Sequence, residues 1–140
     1  MRTWPALLVL LTLAACSTAA TEAPELTDAP PQRVFVEPQV PGQNATIVAV
    51  YQRGSGTCYL ALFVGRRLVA RLAPGERVQV PVEPGVHLLT TWSYPEGASG
   101  CARPSTDHIP LEARLTPGEA RYIRLTISES GAVNTLGPAR

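Results

Sequence analysis

The chain has 140 residues, a formal net charge of +1 at pH 7, 45% hydrophobic residues and 16% charged ones. That length and balance suit one domain plus a tail and exclude the clustered basic surface that nucleic-acid binding needs. All twelve basic residues are arginine, which excludes lysine-based Schiff-base or general-base chemistry.

Met1-Arg2 makes a short positive start, and Trp4 to Leu13 is an apolar run broken only by Pro5 and Thr12. The run is too short for a membrane span of ~20 residues but suits the apolar region of a signal peptide. It closes on Leu13-Ala14-Ala15-Cys16: a branched apolar residue, two small residues, then cysteine. This stretch resembles the lipobox of bacterial lipoproteins. The resemblance implies that residues 1–15 are a signal peptide cut after Ala15, that the Cys16 thiol carries a diacylglycerol, and that the new amino group is acylated. Two or more acyl chains hold a protein stably, at ~0.8 kcal/mol per buried methylene. Ser17 stands where an aspartate would resemble an inner-membrane retention signal. An outer-membrane lipid anchor with the domain facing the periplasm is the expectation. The alternative is an ordinary signal peptide with an incidental cysteine.

Residues 16–43 are expected to be the lipidated cysteine and a disordered tether. The segment holds Pro24, Pro30, Pro31, Pro38 and Pro41 and buries too little apolar surface to order itself. Extended at ~3.1 Å per residue, it would hold a domain several tens of ångströms from the membrane. Arg33-Val34-Phe35-Val36 breaks the pattern. It either adds a strand to a sheet edge or a partner, or is a sticky spot in a linker.

Residues 44–140 read as β. Thr46–Tyr51 is β-branched and aromatic, and Gly54-Ser55-Gly56 turns the chain. Cys58–Val64 and Leu68–Leu72 follow around Gly65-Arg66-Arg67. Arg77–Val82 alternates, and Val86–Tyr94 places Val86, Leu88, Thr90 and Trp92 on one side. Ile109–Leu115 and Tyr122–Ile127 alternate again. Seven short runs divided by Pro and Gly predict a small all-β fold, an antiparallel sandwich or open barrel of about seven strands. Ala73-Pro74-Gly75-Glu76, Glu83-Pro84-Gly85-Val86 and Thr116-Pro117-Gly118-Glu119 repeat one turn chemistry: proline sets the first central residue and glycine supplies positive φ at the second. The first and third share a longer Leu-x-Pro-Gly-Glu frame.

The run Ala45–Tyr51, Tyr59-Leu-Ala-Leu-Phe-Val-Gly65, Leu72-x-Pro-Gly-Glu, Val82-Glu-Pro-Gly-Val-His-Leu88 and Pro117-Gly-Glu-Ala-Arg-Tyr122 resembles a group of small bacterial lipoprotein domains of unknown function. These are similar in turn to the β-sandwich surface modules named after a Pro-Glu-Gly-Ala motif. The resemblance implies an envelope β domain without known catalysis and supplies no functional residues. This chain departs from the pattern in its cysteine pair and its long loop, 95–107.

Beside Cys16 the cysteines are Cys58 and Cys101. In an oxidising compartment an even pair is expected to form a disulfide, which would pin the 95–107 loop to the second strand; the alternative is two buried thiols. His87 and His108 are too few for a metal set without both cysteines, and His87 is placed on an outer strand face. Ser105, Asp107 and His108 lie too close together in sequence to converge as a triad. Trp92 is expected in the core, leaving Tyr94 and Arg103 as a candidate contact surface. No catalytic residue, metal site or cofactor is assigned. The function expected is a membrane-anchored, non-catalytic protein-interaction or structural module with an envelope protein partner and no nucleic acid. The alternative is a binding protein for a small envelope ligand that uses the 95–107 loop.

Overall fold

A computed structural model describes residues 25–37, 41–52, 58–94, 110–127 and 134–138. The strands are β1 (Thr27–Asp28), β2 (Ala45–Tyr51), β3 (Tyr59–Val64), β4 (Arg67–Leu72), β5 (Glu76–Val82), β6 (Gly85–Tyr94), β7 (Leu111–Leu115), β8 (Ala120–Ile127) and β9 (Asn134–Pro138). One sheet has the order β1-β5-β2-β8-β9 and the other β4-β3-β6-β7. The protein is a small all-β sandwich of two mostly antiparallel sheets, not closed into a barrel. The seven runs legible in the sequence are β2 to β8; β1 and β9 are additional edge strands. The one helical element among the described residues is a single 3-10 turn, Pro31–Arg33.

Alternation builds the core. Ile47, Ala49 and Tyr51 of β2, Val78, Val80 and Val82 of β5, and Ile123 and Leu125 of β8 face inward from the five-stranded sheet. Leu60 and Leu62 of β3, Leu72 of β4, Leu89 of β6, and Ala113 and Leu115 of β7 meet them from the four-stranded sheet. These β-branched and leucine side chains suit a pleated, half-buried surface. The Tyr51 hydroxyl is buried here without a hydrogen-bond partner, and burial pushes its pKa up to about 12.

The Leu-x-Pro-Gly-Glu frame has a physical basis. Gly75 and Gly118 take φ of 87° and 77°, the left-handed region where glycine carries no Cβ penalty. Each turn closes with a backbone bond, Glu76 N–H to the Ala73 carbonyl and Glu119 N–H to the Thr116 carbonyl, both 3.1 Å. The glutamate then reaches back over its own turn. Glu76 Oε2 accepts from the Ala73 N–H at 2.7 Å, and Glu119 Oε2 accepts from the Thr116 N–H at 2.9 Å. Each leading leucine, Leu72 or Leu115, is buried in the core.

Glu119 also pairs with Arg121. The Thr116 N–H, then the Arg121 guanidinium and the Thr116 hydroxyl, lower its pKa from 4.5 to about 2. The folded value lies below the unfolded one, so this stabilisation is complete above about pH 4.5 and fades as pH falls toward 2. The melting temperature of Glu119→Gln should therefore fall less steeply than that of the native chain across that window. Parallel curves would show that the carboxylate contributes nothing.

Two pairings depart from an antiparallel sheet. β2 runs parallel to β8, with Thr46 opposite Ala120 and Tyr51 opposite Leu125, and β1 runs parallel to β5. The second departure belongs to the N-terminal segment. Residues 25–37 fall within the stretch expected as an unordered tether, yet they form a strap along the sandwich. Thr27 N–H donates to the Gly75 carbonyl and Ala29 N–H to that of Arg77, while Arg77 Nε donates to Asp28 Oδ1 at 2.6 Å. The strap then crosses to β4, where Val34 bridges Ala70 and Phe35 N–H donates to the Val69 carbonyl. Of the two readings of Arg33-Val34-Phe35-Val36, the structure takes the one in which it adds to a sheet edge. Val34 and Val36 pack against the core, and the ion pairs of Asp28 with Arg77 and of Arg33 with Glu76 flank Pro30 and Pro31.

Candidate functional site

The outer face of the four-stranded sheet is the most unusual surface of the described residues. Leu89, Thr91 and Ser93 of β6 point into the sandwich and are buried. Val86, Leu88 and Trp92 point outward and stay 49%, 48% and 48% exposed. The core expectation for Trp92 is thus overturned. Pairing fixes the choice: Leu60 lies opposite Ser93 and Leu62 opposite Thr91. Those two leucines fill the core, and opposite residues in a ladder share a face. β6 therefore buries its more polar side and exposes its more apolar one. That inversion is the signal which hydropathy counting alone reads the wrong way round.

Trp92 leans on Phe63 with ring centroids 5.9 Å apart and planes tilted by 50°. On β7, Arg114 lies opposite Val86 and Glu112 opposite Leu88, and the two charges are 3.9 Å apart. The face has an apolar centre and a charged margin. The outer face of the other sheet exposes Tyr122 among Gln79, Arg77 and Arg124, a more polar mixture.

His87 sits on the inward side of β6, not on an outer face as expected. The same register that turns Trp92 outward turns His87 inward, at the end of the sandwich where β6 begins. Its Nε2–H donates to the Glu83 carbonyl at 2.6 Å. It lines a cavity of about 220 Å³ with Arg67, Glu37, Glu83, Gln43 and Val82. Arg67 is 3.8 Å from Glu37 there and donates to the Phe35 carbonyl. The strap thus walls one side of the cavity.

The other residues singled out from the sequence fare differently. Cys58 is disulfide-bonded and packs against the core at the start of β3. Cys101, Cys16 and Arg103 lie outside the described residues, as do the lipobox, the 95–107 loop, Ser105, Asp107 and His108. Tyr94 is the last residue of β6, opposite Tyr59. Among the described residues no three His, Cys, Asp or Glu side chains gather as a metal-binding group, and no helix is long and apolar enough to cross a membrane. No family model and no curated protein matches the chain.

Proposed function

We propose that the chain is an envelope lipoprotein, anchored in the outer membrane by lipid on Cys16, whose β-sandwich is a non-catalytic module that docks an envelope protein from the periplasmic side. The inverted face of β6 carries this reading. A strand that exposes Val86 and Leu88 while burying Thr91 and Ser93 keeps apolar surface available to a partner. Its margin of Glu112 and Arg114 suits the polar rim of a protein interface. The lipobox resemblance supports the anchor.

Two substitutions test the two halves. Cys16→Ser should release the protein from the membrane fraction with the circular dichroism of the β domain unchanged. A photocrosslinking residue at Leu88 should trap a discrete envelope adduct that Arg114→Glu weakens, while the same probe at Gln79 gives none. A Leu88 probe that yields no adduct in intact envelopes removes the docking function.

A second reading, a small-ligand protein, is favoured by the His87 cavity. It predicts a rise in melting temperature with small molecules and no adduct at Leu88.

A further inference from the structure

Most of the β5 edge is uncovered. β1 pairs with Glu76 and Arg77 alone, and the strap then turns away through Pro30 and Pro31 and crosses to β4. The direction of the backbone groups along β5 follows from the bonds on either side of it. Thr46 N–H and Gln52 N–H donate toward β8, to the Glu119 and Leu125 carbonyls. Ile47 and Ala49, of the other parity, therefore turn their N–H and C=O groups to β5, and their partners Val80 and Val78 turn theirs to β2. The remaining β5 residues face the edge, as Arg77 does when its carbonyl accepts from Ala29 N–H at 2.9 Å. The Gln79 N–H and C=O and the Pro81 C=O thus point out of the sheet, and no described residue bonds to them. Proline suits position 81, because its missing N–H falls on the edge side.

The hollow left by the strap follows this edge. A cavity of about 260 Å³ lies between Asp28, Ala29 and Val34 of the strap and Arg77, Val78 and Gln79 of β5. The His87 cavity comes next, where Val36 and Glu37 of the strap face Val80, Pro81, Val82 and Glu83. Consecutive residues from Arg77 to Glu83 line the two, a run of about 20 Å at ~3.3 Å per residue. The charge at its far end is unbalanced. Glu37 and Glu83 stand there against Arg67, which is already 3.8 Å from Glu37. Pro38-Gln39-Val40, next in the chain, bring no charge. A cation is the electrostatic complement.

We propose that the β5 edge takes an extended segment of a partner protein as an added strand, with a lysine or arginine of that segment at Glu83. Main-chain bonds to a sheet edge give such docking its affinity, and pockets for alternate side chains give it specificity. Gln79 donates and accepts while Pro81 only accepts, so the segment supplies two N–H groups and one C=O. Its inward side chains enter the two cavities, which suits aliphatic residues at alternate positions. The site lies apart from the outer face of β6 and stands or falls independently of that face and of the lipid.

Amide exchange in the full mature chain, held in detergent micelles, tests the edge. Gln79 N–H should exchange at least about a hundredfold faster than Val78 and Val80, which donate to β2. Equal protection at all three overturns the proposal. A random decapeptide display library is then selected on the same chain. Enriched peptides should alternate β-branched residues, carry lysine or arginine, and slow exchange at Gln79 when bound. Gln79→Pro removes the edge donor and should weaken binding at least about tenfold, whereas Gln79→Ala keeps the backbone and should not. Glu83→Gln should weaken binding as well. N-methylation of the peptide repeats the test without touching the chain: one alternate set of methylated amides should abolish binding and the other should leave it. An empty selection, peptides that all bind Gln79→Pro as well as the native chain, indifference to methylation of either set, or a consensus without a basic residue overturns the proposal.

Discussion

Glu76→Ala is expected to lower the unfolding free energy by about 3 kcal/mol and to loosen the N-terminal strap. The value sits at the low end for breaking a buried ion pair, because Arg33 and Glu76 keep 24% and 13% of their side-chain surface exposed. The loss has several parts. The Ala73 N–H loses its carboxylate acceptor at 2.7 Å, and the bidentate contact to Arg33 disappears. Arg33 keeps one bond, to the Arg71 carbonyl at 3.0 Å, and is left partly buried without a counter-charge. Leaving a buried charge unpaired costs more than the pair contributes. Glu76→Gln retains an acceptor for Ala73 and should fall between the two. Urea unfolding gives the free energy, and limited proteolysis within residues 25–37 reports strap release. A loss under about 1 kcal/mol, the range of exposed pairs, would mean that the strap is held by Val34 and the β1 pairing instead.

Leu62→Ala should cost about 3–4 kcal/mol, the range of a buried leucine truncation that leaves a cavity. Leu62 is wholly buried and lies between Ala70 of β4 and Thr91 of β6. Neither neighbour can swing a bulky group into the space, so collapse is limited. Leu88→Ala, on the exposed face of the next strand, should stay within about 0.5 kcal/mol. Denaturant midpoints at constant m-value measure both. Similar losses at the two positions would show that the outer face is packed, and the inversion of β6 would lose its meaning as a contact surface.

Strands governed by local alternation were legible in the sequence. Val78, Val80 and Val82 and the Ile123–Leu125 pair declare their inward side through strict alternation, with Gln79, Pro81 and Arg124 on the other side. The Pro-Gly turns were legible for the same local reason. β6 was not, because which side faces inward depends on β3, whose Leu60 and Leu62 take the core opposite Ser93 and Thr91. His87 was misplaced by that same register. The strap was masked by composition: its prolines suggest an unordered linker, whereas ion pairs between Arg33 and Glu76 and between Arg77 and Asp28 join residues far apart in sequence. The Leu-x-Pro-Gly-Glu frame was visible as a repeat, but the carboxylate that folds back onto its own turn was not. The 95–107 loop and Arg103 lie outside the described residues, and of the contact surface drawn from the sequence only Tyr94, the last residue of β6, is described.

The parallel pairing of β2 with β8 bears on how the chain acquires its shape as it emerges. Thr46, near the start of the sandwich, needs Ala120 beside it, and such distant partners make folding slow. Until β8 has emerged, β2 has only β5 for a neighbour, and the middle of its sheet is open. A chain threaded through a pore from its N-terminus therefore cannot lock the five-stranded sheet early. Its five-stranded sheet can close only once β8 lies beside β2.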